Sequence, residues 1–131
     1  MRYLGIDYGL KKVGLAISEG QISSPLKVLE INSLTDGLNK VSHVIKQEQI
    51  DRVVVGVPDS GQAKNAVKKF LSQLKSNFKD SQVSIIEADE TLSSSSAKDL
   101  MIDLDLSQEA RKKEDAYSAS IILQNFIDSI A

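Results

Sequence analysis

The apolar positions of this chain follow two rhythms. In "RYLGIDYGLKKVGLAIS", residues Tyr3 to Asp7 and Val13 to Ser18 are short runs rich in Leu, Ile and Val, and they read as strands. "YGLKK" joins them as a hairpin, and Gly9 is expected to supply the positive φ that a tight connection often needs. A third strand, about Leu26 to Ile31, is predicted after the turn signals of "EGQISSP". "RVVVGVP" is a continuous apolar run, the mark of a strand covered on both faces, and Pro58 ends it. "QVSIIEA" supplies a fifth strand.

Between these runs the spacing changes to three and four. From about Asp36 to Gln49, Leu38, Val41, Val44 and Ile45 mark one buried helical face, and His43, the only histidine, lies off that stripe as a surface residue. A second helix, about Gln62 to Asn77, turns Val67, Phe70, Leu71 and Leu74 inward. A third is predicted to start near Ser93 to Ser95, where serine hydroxyls can cap free N–H groups, and the last runs from about Lys113 to Ile130. An antiparallel three-strand meander, followed by strands that alternate with helices, predicts an α/β fold. Its mixed five-stranded sheet should end in two parallel strands and carry helices on both faces.

Length narrows this to one unit. The 131 residues suit a single domain, 1–131, able to bury about two thirds of its unfolded surface. With no cysteine there is no disulfide, no thiolate ligand and no cysteine nucleophile, so any metal must be held by oxygen ligands. No apolar run approaches the roughly 20 residues of a membrane span, and the N-terminus lacks a signal-peptide pattern. The expectation is a soluble protein with no membrane partner that stays where it is made. A formal net charge of −2 gives no global pull on nucleic acid, so such binding must rest on a local basic patch.

Three acidic places stand out against this background. Asp7 closes the first strand, "ADE" with Asp89 and Glu90 closes the last, and Asp115 opens the final helix. Ligands of open α/β sheets gather at the carboxyl ends of strands, so the first two places can share an edge. Helical steps from Asp115 reach Ala119, Ile122 and Phe126, which puts its carboxylate on the inward stripe. Each acid also has a plain structural reading, as a turn cap, a solvated loop acid or a partner of its helix dipole. Together they favour a shared divalent cation, magnesium or manganese, because burying unpaired anions is costly. Such a cluster suits two-metal phosphodiester hydrolysis, in which the protein needs no nucleophile of its own. Lys11 and Lys12 in the hairpin, Arg111, Lys112 and Lys113 before Asp115, and Lys64, Lys68 and Lys69 on the second helix are the basic residues available to a phosphate backbone.

The segments "LGIDYGLKKVGLAIS", "VVVGVPDSGQ", "ADETLSSSSA" and "KKEDAYSASIILQNFI" resemble, in order and across nearly the whole chain, the successive motifs of the YqgF family, also called the RuvX or Holliday junction resolvase family. The resemblance implies an RNase H-like fold, a bacterial cytoplasmic location and a nuclease role in maturing the 5′ end of pre-16S rRNA. By similarity it also implies catalytic acids at Asp7, Glu90 and Asp115, with metal held by Asp7, Asp115 and either Glu90 or Asp89. Thr91 stands where the family often has arginine, which removes a fixed charge from the substrate's path, and Glu114 replaces an apolar residue.

Rival readings remain. The first hairpin also occurs in actin-like ATPases, but those need a second comparable domain. A P-loop fails because Leu15 and Ala16, not Lys and Ser or Thr, follow Gly14. A junction-DNA nuclease and a non-catalytic nucleic-acid-binding module stay open, as do branched DNA against structured RNA and monomer against homodimer.

Overall fold

The structure is a computed structural model that describes residues 1–89 and 114–130. The predicted helix near 93–95, Glu90, Thr91, Arg111, Lys112 and Lys113 lie outside the described residues. The strands are β1 (Tyr3–Tyr8), β2 (Lys12–Ser18), β3 (Ser23–Glu30), β4 (Arg52–Val57) and β5 (Ser84–Asp89). The helices are α1 (Leu34–Gln47), α2 (Gly61–Asn77) and α3 (Glu114–Ile130).

All five strands join in one sheet of order β3-β2-β1-β4-β5. The β1-β2 and β2-β3 pairs are antiparallel, whereas β4 lies parallel to both β1 and β5. The expected meander and the two later parallel strands are therefore present. β3 begins earlier than expected and includes Pro25, which a central strand would exclude. Pro25 is tolerated because β3 is an edge strand and its ladder with β2 shifts register between Leu15 and Ala16, so a bulge falls where the proline has no N–H to give.

Alternation along the strands sorts the core into two layers. Leu4, Ile6, Val13, Leu15, Val53 and Val55 face α1 and α2, where they pack on Val41, Val44, Ile45, Phe70, Leu71 and Leu74. Ala16 and Val54 face the other way, onto Ala119, Ile122, Leu123 and Ile127 of α3. The "VVV" of β4 is thus covered on both faces, as its lack of alternation implied. His43 is exposed on α1. Helix α1 starts with a reciprocal cap: the Asp36 N–H donates to Ser33 Oγ at 3.1 Å, and the Asn32 N–H donates to Asp36 Oδ2 at 2.9 Å. That bond, with Lys40 beside it, holds the Asp36 carboxyl below its ordinary value.

The face under α3 is written in small residues. Gly5 on β1, and Gly14, Ala16 and Ser18 on β2, leave room for the helix backbone to lie directly on the sheet. A Cβ added at Gly5 would stand 2.8 Å from both the Ala119 carbonyl oxygen and Leu123 Cβ. Hydrogen bonds then fix the helix against the start of β3. Ser23 Oγ donates to the Ser120 carbonyl at 2.6 Å, and the Ser23 N–H donates to Gln124 Oε1 at 2.9 Å.

Gly5→Ala should therefore destabilise the fold by about 1–3 kcal/mol, because backbone cannot move aside as a side chain can. Gly20→Ala, where an added Cβ meets nothing within 4 Å, should change stability by less than about 0.5 kcal/mol. Urea unfolding of the two variants beside the parent checks the contrast.

Candidate active site

Strands β1, β4 and β5 run parallel, so their carboxyl ends share one edge of the sheet. Asp7 stands one residue beyond Ile6, which pairs with Val55, and Val55 in turn pairs with Glu87. Asp7 alternates with Leu4, Ile6 and Tyr8 and so belongs to the face that carries α3. Its direct cross-strand partner on β2 is Gly14.

Gly14 is where α3 arrives. A Cβ built on it would lie 1.9 Å from the Asp115 carbonyl oxygen and 2.8 Å from the Ala116 nitrogen, so the first turn of α3 rests on bare backbone. Opposed residues of an antiparallel pair sit about 4.5–5.5 Å apart and share a face. The backbone of Asp115 is thereby seated on the neighbour of Asp7, although the two acids are far apart in sequence. The helical stripe agrees: Ser118, Ala119 and Ile122, three, four and seven residues on from Asp115, are buried. Both acids are half-buried.

The other acid of the sheet edge behaves differently. Asp89 pairs with Val57, Glu87 with Val55 and Ile85 with Val53, all on the α2 side, whereas Ala88 pairs with Gly56 on the α3 side. Asp89 lines a groove with Glu87, Lys64, Lys68 and Asp59. It therefore stands on the face opposite Asp7. Among the described residues, no three acidic or histidine side chains gather closely enough to hold an ion. Glu90, the remaining member of the predicted set, lies outside the described residues.

The lysines divide in the same way. Lys12 is two positions from Gly14 on β2 and so shares the face of Asp7, with exposed Lys11 beside it in the turn. Lys64 belongs to the groove with Asp89, on the far side of the sheet. Lys68 donates to Glu87 Oε1 at 2.9 Å. That bond, helped by the charges of Lys68, Lys75 and Lys64, holds the Glu87 carboxyl below its ordinary value against the opposing effect of burial. In the turn, Gly9 donates its N–H to the Lys12 carbonyl at 2.9 Å, and an added Cβ would stand 2.8 Å from that oxygen. Its φ is not positive; among the described residues only Gln49 and Gly61 have positive φ. Glycine is needed at position 9 for close approach, not for handedness.

A family model described as "RuvX: Holliday junction resolvase" matches residues 1–129. The chain belongs to the RuvX family. Curated relatives agree over full length. A Bacillus thuringiensis protein named "Putative pre-16S rRNA nuclease" is 35% identical over 139 aligned positions, covering 98% of this chain and 99% of its own. A Bacillus anthracis protein of the same name matches equally. Among solved structures, the fowlpox virus Holliday junction resolvase superposes with a TM-score of 0.72 at 14% identity, with both chains fully covered. Thermus thermophilus RuvC, solved with a Holliday junction substrate, gives 0.66 at 15% identity, covering 99% of this chain and 95% of that one. These likenesses show that the RuvX chain has the RNase H-like fold. No described helix is long and apolar enough to cross a membrane.

Sequence reasoning proposed Asp7 and Asp115 for one edge, and it gave no sign of the cavity on the α1–α2 face that Tyr8 and the residues around it line. No periodic signal marks that cavity, because its walls come from three separate segments.

Two expectations follow. Because the folded-state value of Glu87 is lowered, its contribution is present above the ordinary glutamate value of about 4.3 and is lost as pH falls from there through the lowered value. The pair is nearly half exposed, so Glu87→Gln should flatten the acid limb of a stability–pH curve by only about 0.2–1 kcal/mol. Gly14→Ala should lower nuclease activity out of proportion to stability, because a backbone shift at Asp115 moves the acid itself. Activity normalised to the fraction folded, compared with Gly5→Ala, checks this.

Proposed function

We propose that this chain is a divalent-metal-dependent nuclease that processes the 5′ end of pre-16S rRNA. The observation that carries the reading is the seating of Asp115 over Gly14, directly beside Asp7. The donor chemistry fits a hard cation: the two carboxylates offer only oxygen, and the chain has no cysteine to favour a softer ion. Asp7 and Asp115 would hold the metal with Glu90. Asp89 is the weaker candidate because it stands on the opposite face. Magnesium or manganese bound there would activate water and stabilise the leaving oxygen.

The protein's own share of the work is positional. The sheet fixes Asp7, the glycine contact fixes the first turn of α3, and Lys12 with Lys11 brings positive charge to an otherwise acidic edge. Arg111, Lys112 and Lys113, which precede α3 in sequence, would extend that charge toward the phosphate backbone. The full-length relatives named as pre-16S rRNA nucleases support RNA as the substrate, and the bacterial cytoplasm as the place of action. Four-way junction DNA is the second reading, favoured by the family's description.

Wild-type protein with Mg²⁺ or Mn²⁺ should cleave a transcript carrying the 5′ leader of pre-16S rRNA. Asp7→Asn, Glu90→Gln and Asp115→Asn should each lower the rate by about 100-fold or more, as for loss of a group acting on transition-state charge. Asp89→Asn should stay within a few-fold of the parent. No cleavage by the parent, or equal cleavage by Asp7→Asn, would defeat the catalytic reading. Faster cleavage of a four-way junction in direct competition would transfer it to DNA.

A further inference from the structure

Beside Asp7, on the other face of the same strand end, lies a cavity of about 410 Å³. This is within the usual size of small-molecule sites, roughly 300–1,000 Å³. Its walls include Tyr8, Leu10 and Leu34, with the amides of Gln62 and Asn65 and the ammonium of Lys69 at its polar side. Among its described lining residues none carries a carboxylate and Lys69 is the one fixed charge, unlike the groove where Asp59, Glu87 and Asp89 stand with Lys64 and Lys68.

We propose that this cavity receives an unpaired nucleobase from the strand whose backbone crosses the acidic edge. The inference rests on the nuclease reading for the path of that strand, and adds what the enzyme recognises on it. Tyr8 follows Asp7, so their Cα atoms are about 3.8 Å apart while their side chains leave opposite faces of the sheet. A strand draped over the edge can hold a phosphate at the exposed Lys11 and Lys12 beside Asp7 and, a few nucleotides along, turn a base into the cavity.

The lining suits a base better than a sugar or a peptide. Leu10 is 72% exposed at the hairpin tip and is followed directly by Lys11 and Lys12, so an apolar lip stands next to two charges suited to phosphate. Tyr8 is held by stacking on Phe70, with centroids 4.4 Å apart and planes 17° from parallel, which makes the aromatic wall rigid. Side-chain amides offer both a donor and an acceptor, as the edge of an unpaired base requires. A base that is stacked and paired within a duplex cannot enter, so the cavity selects unpaired nucleotides near the cut.

The test reads binding without cleavage, in EDTA, using a single-stranded oligoribonucleotide of leader sequence with 2-aminopurine placed at each position in turn. One position should change fluorescence when wild-type protein binds, and an abasic site there should weaken binding about tenfold, the scale of one lost base contact. The double variant Gln62→Ala/Asn65→Ala replaces two exposed side chains and should keep the parent's urea midpoint. It should bind the intact and abasic strands nearly alike. Absence of strand binding, an abasic effect at no position, or undiminished discrimination by the double variant would overturn the proposal. Cleavage with Mg²⁺ is scored separately: base discrimination without cleavage would overturn only the nuclease reading.

Discussion

The contact on which this molecule turns is that of the α3 backbone with two glycines of the β1-β2 hairpin. An ordinary helix on a sheet is held away by the side chains between them, and the sheet then sees only the helix's side-chain surface. Here Gly5 and Gly14 remove those spacers, so the Ala119 and Asp115 carbonyls approach the strands themselves. A side chain at the start of such a helix can reach the rim of the sheet, which a helix standing further off could not manage. The small residues Ala16, Ser18 and Ala119 extend the same close seam, and the hydrogen bonds from Ser23 to Ser120 and Gln124 keep the helix from sliding along it.

The sheet also separates charges that meet at one of its edges. Glu87 and Asp89 point with α2 and are met there by lysines, whereas Asp7 points with α3 and has Lys12 on its own side. Acids of the same strand edge thus live in different electrostatic settings. The cation of Lys68 is committed to Glu87, so among the described residues Lys11 and Lys12 of the hairpin are the cations that stand beside Asp7.

Much of this was legible in the residues. The continuous "VVVGV" run announced a strand buried on both faces, and the three-and-four spacings placed α1, α2 and α3 to within a few residues of their ends. Asp7 and Asp115 could be proposed for one edge because a strand end and a helical stripe are both local patterns. The place of Asp89 could not be read from sequence, because the face it takes is fixed by the pairing of β5 with β4. Gly9 shows the same limit: the composition of a turn tells that glycine is needed, while only the path of the chain tells why. Pro25 concealed the start of β3 because proline argues against a strand unless the strand is known to lie at an edge beside a bulge.

The same seam has a consequence for the order in which the protein becomes competent. The β1-β2 hairpin can close from local contacts within its own few residues, whereas α3 must return across more than a hundred positions before it finds Gly14. Loop closure of that length is the slow, entropically costly step in assembling such topologies. A chain with its sheet formed but its last helix undocked holds Asp7 without Asp115 beside it. The juxtaposition of the Asp115 backbone with the strand of Asp7 is thus a property of the finished fold alone, and no local piece of the chain contains it.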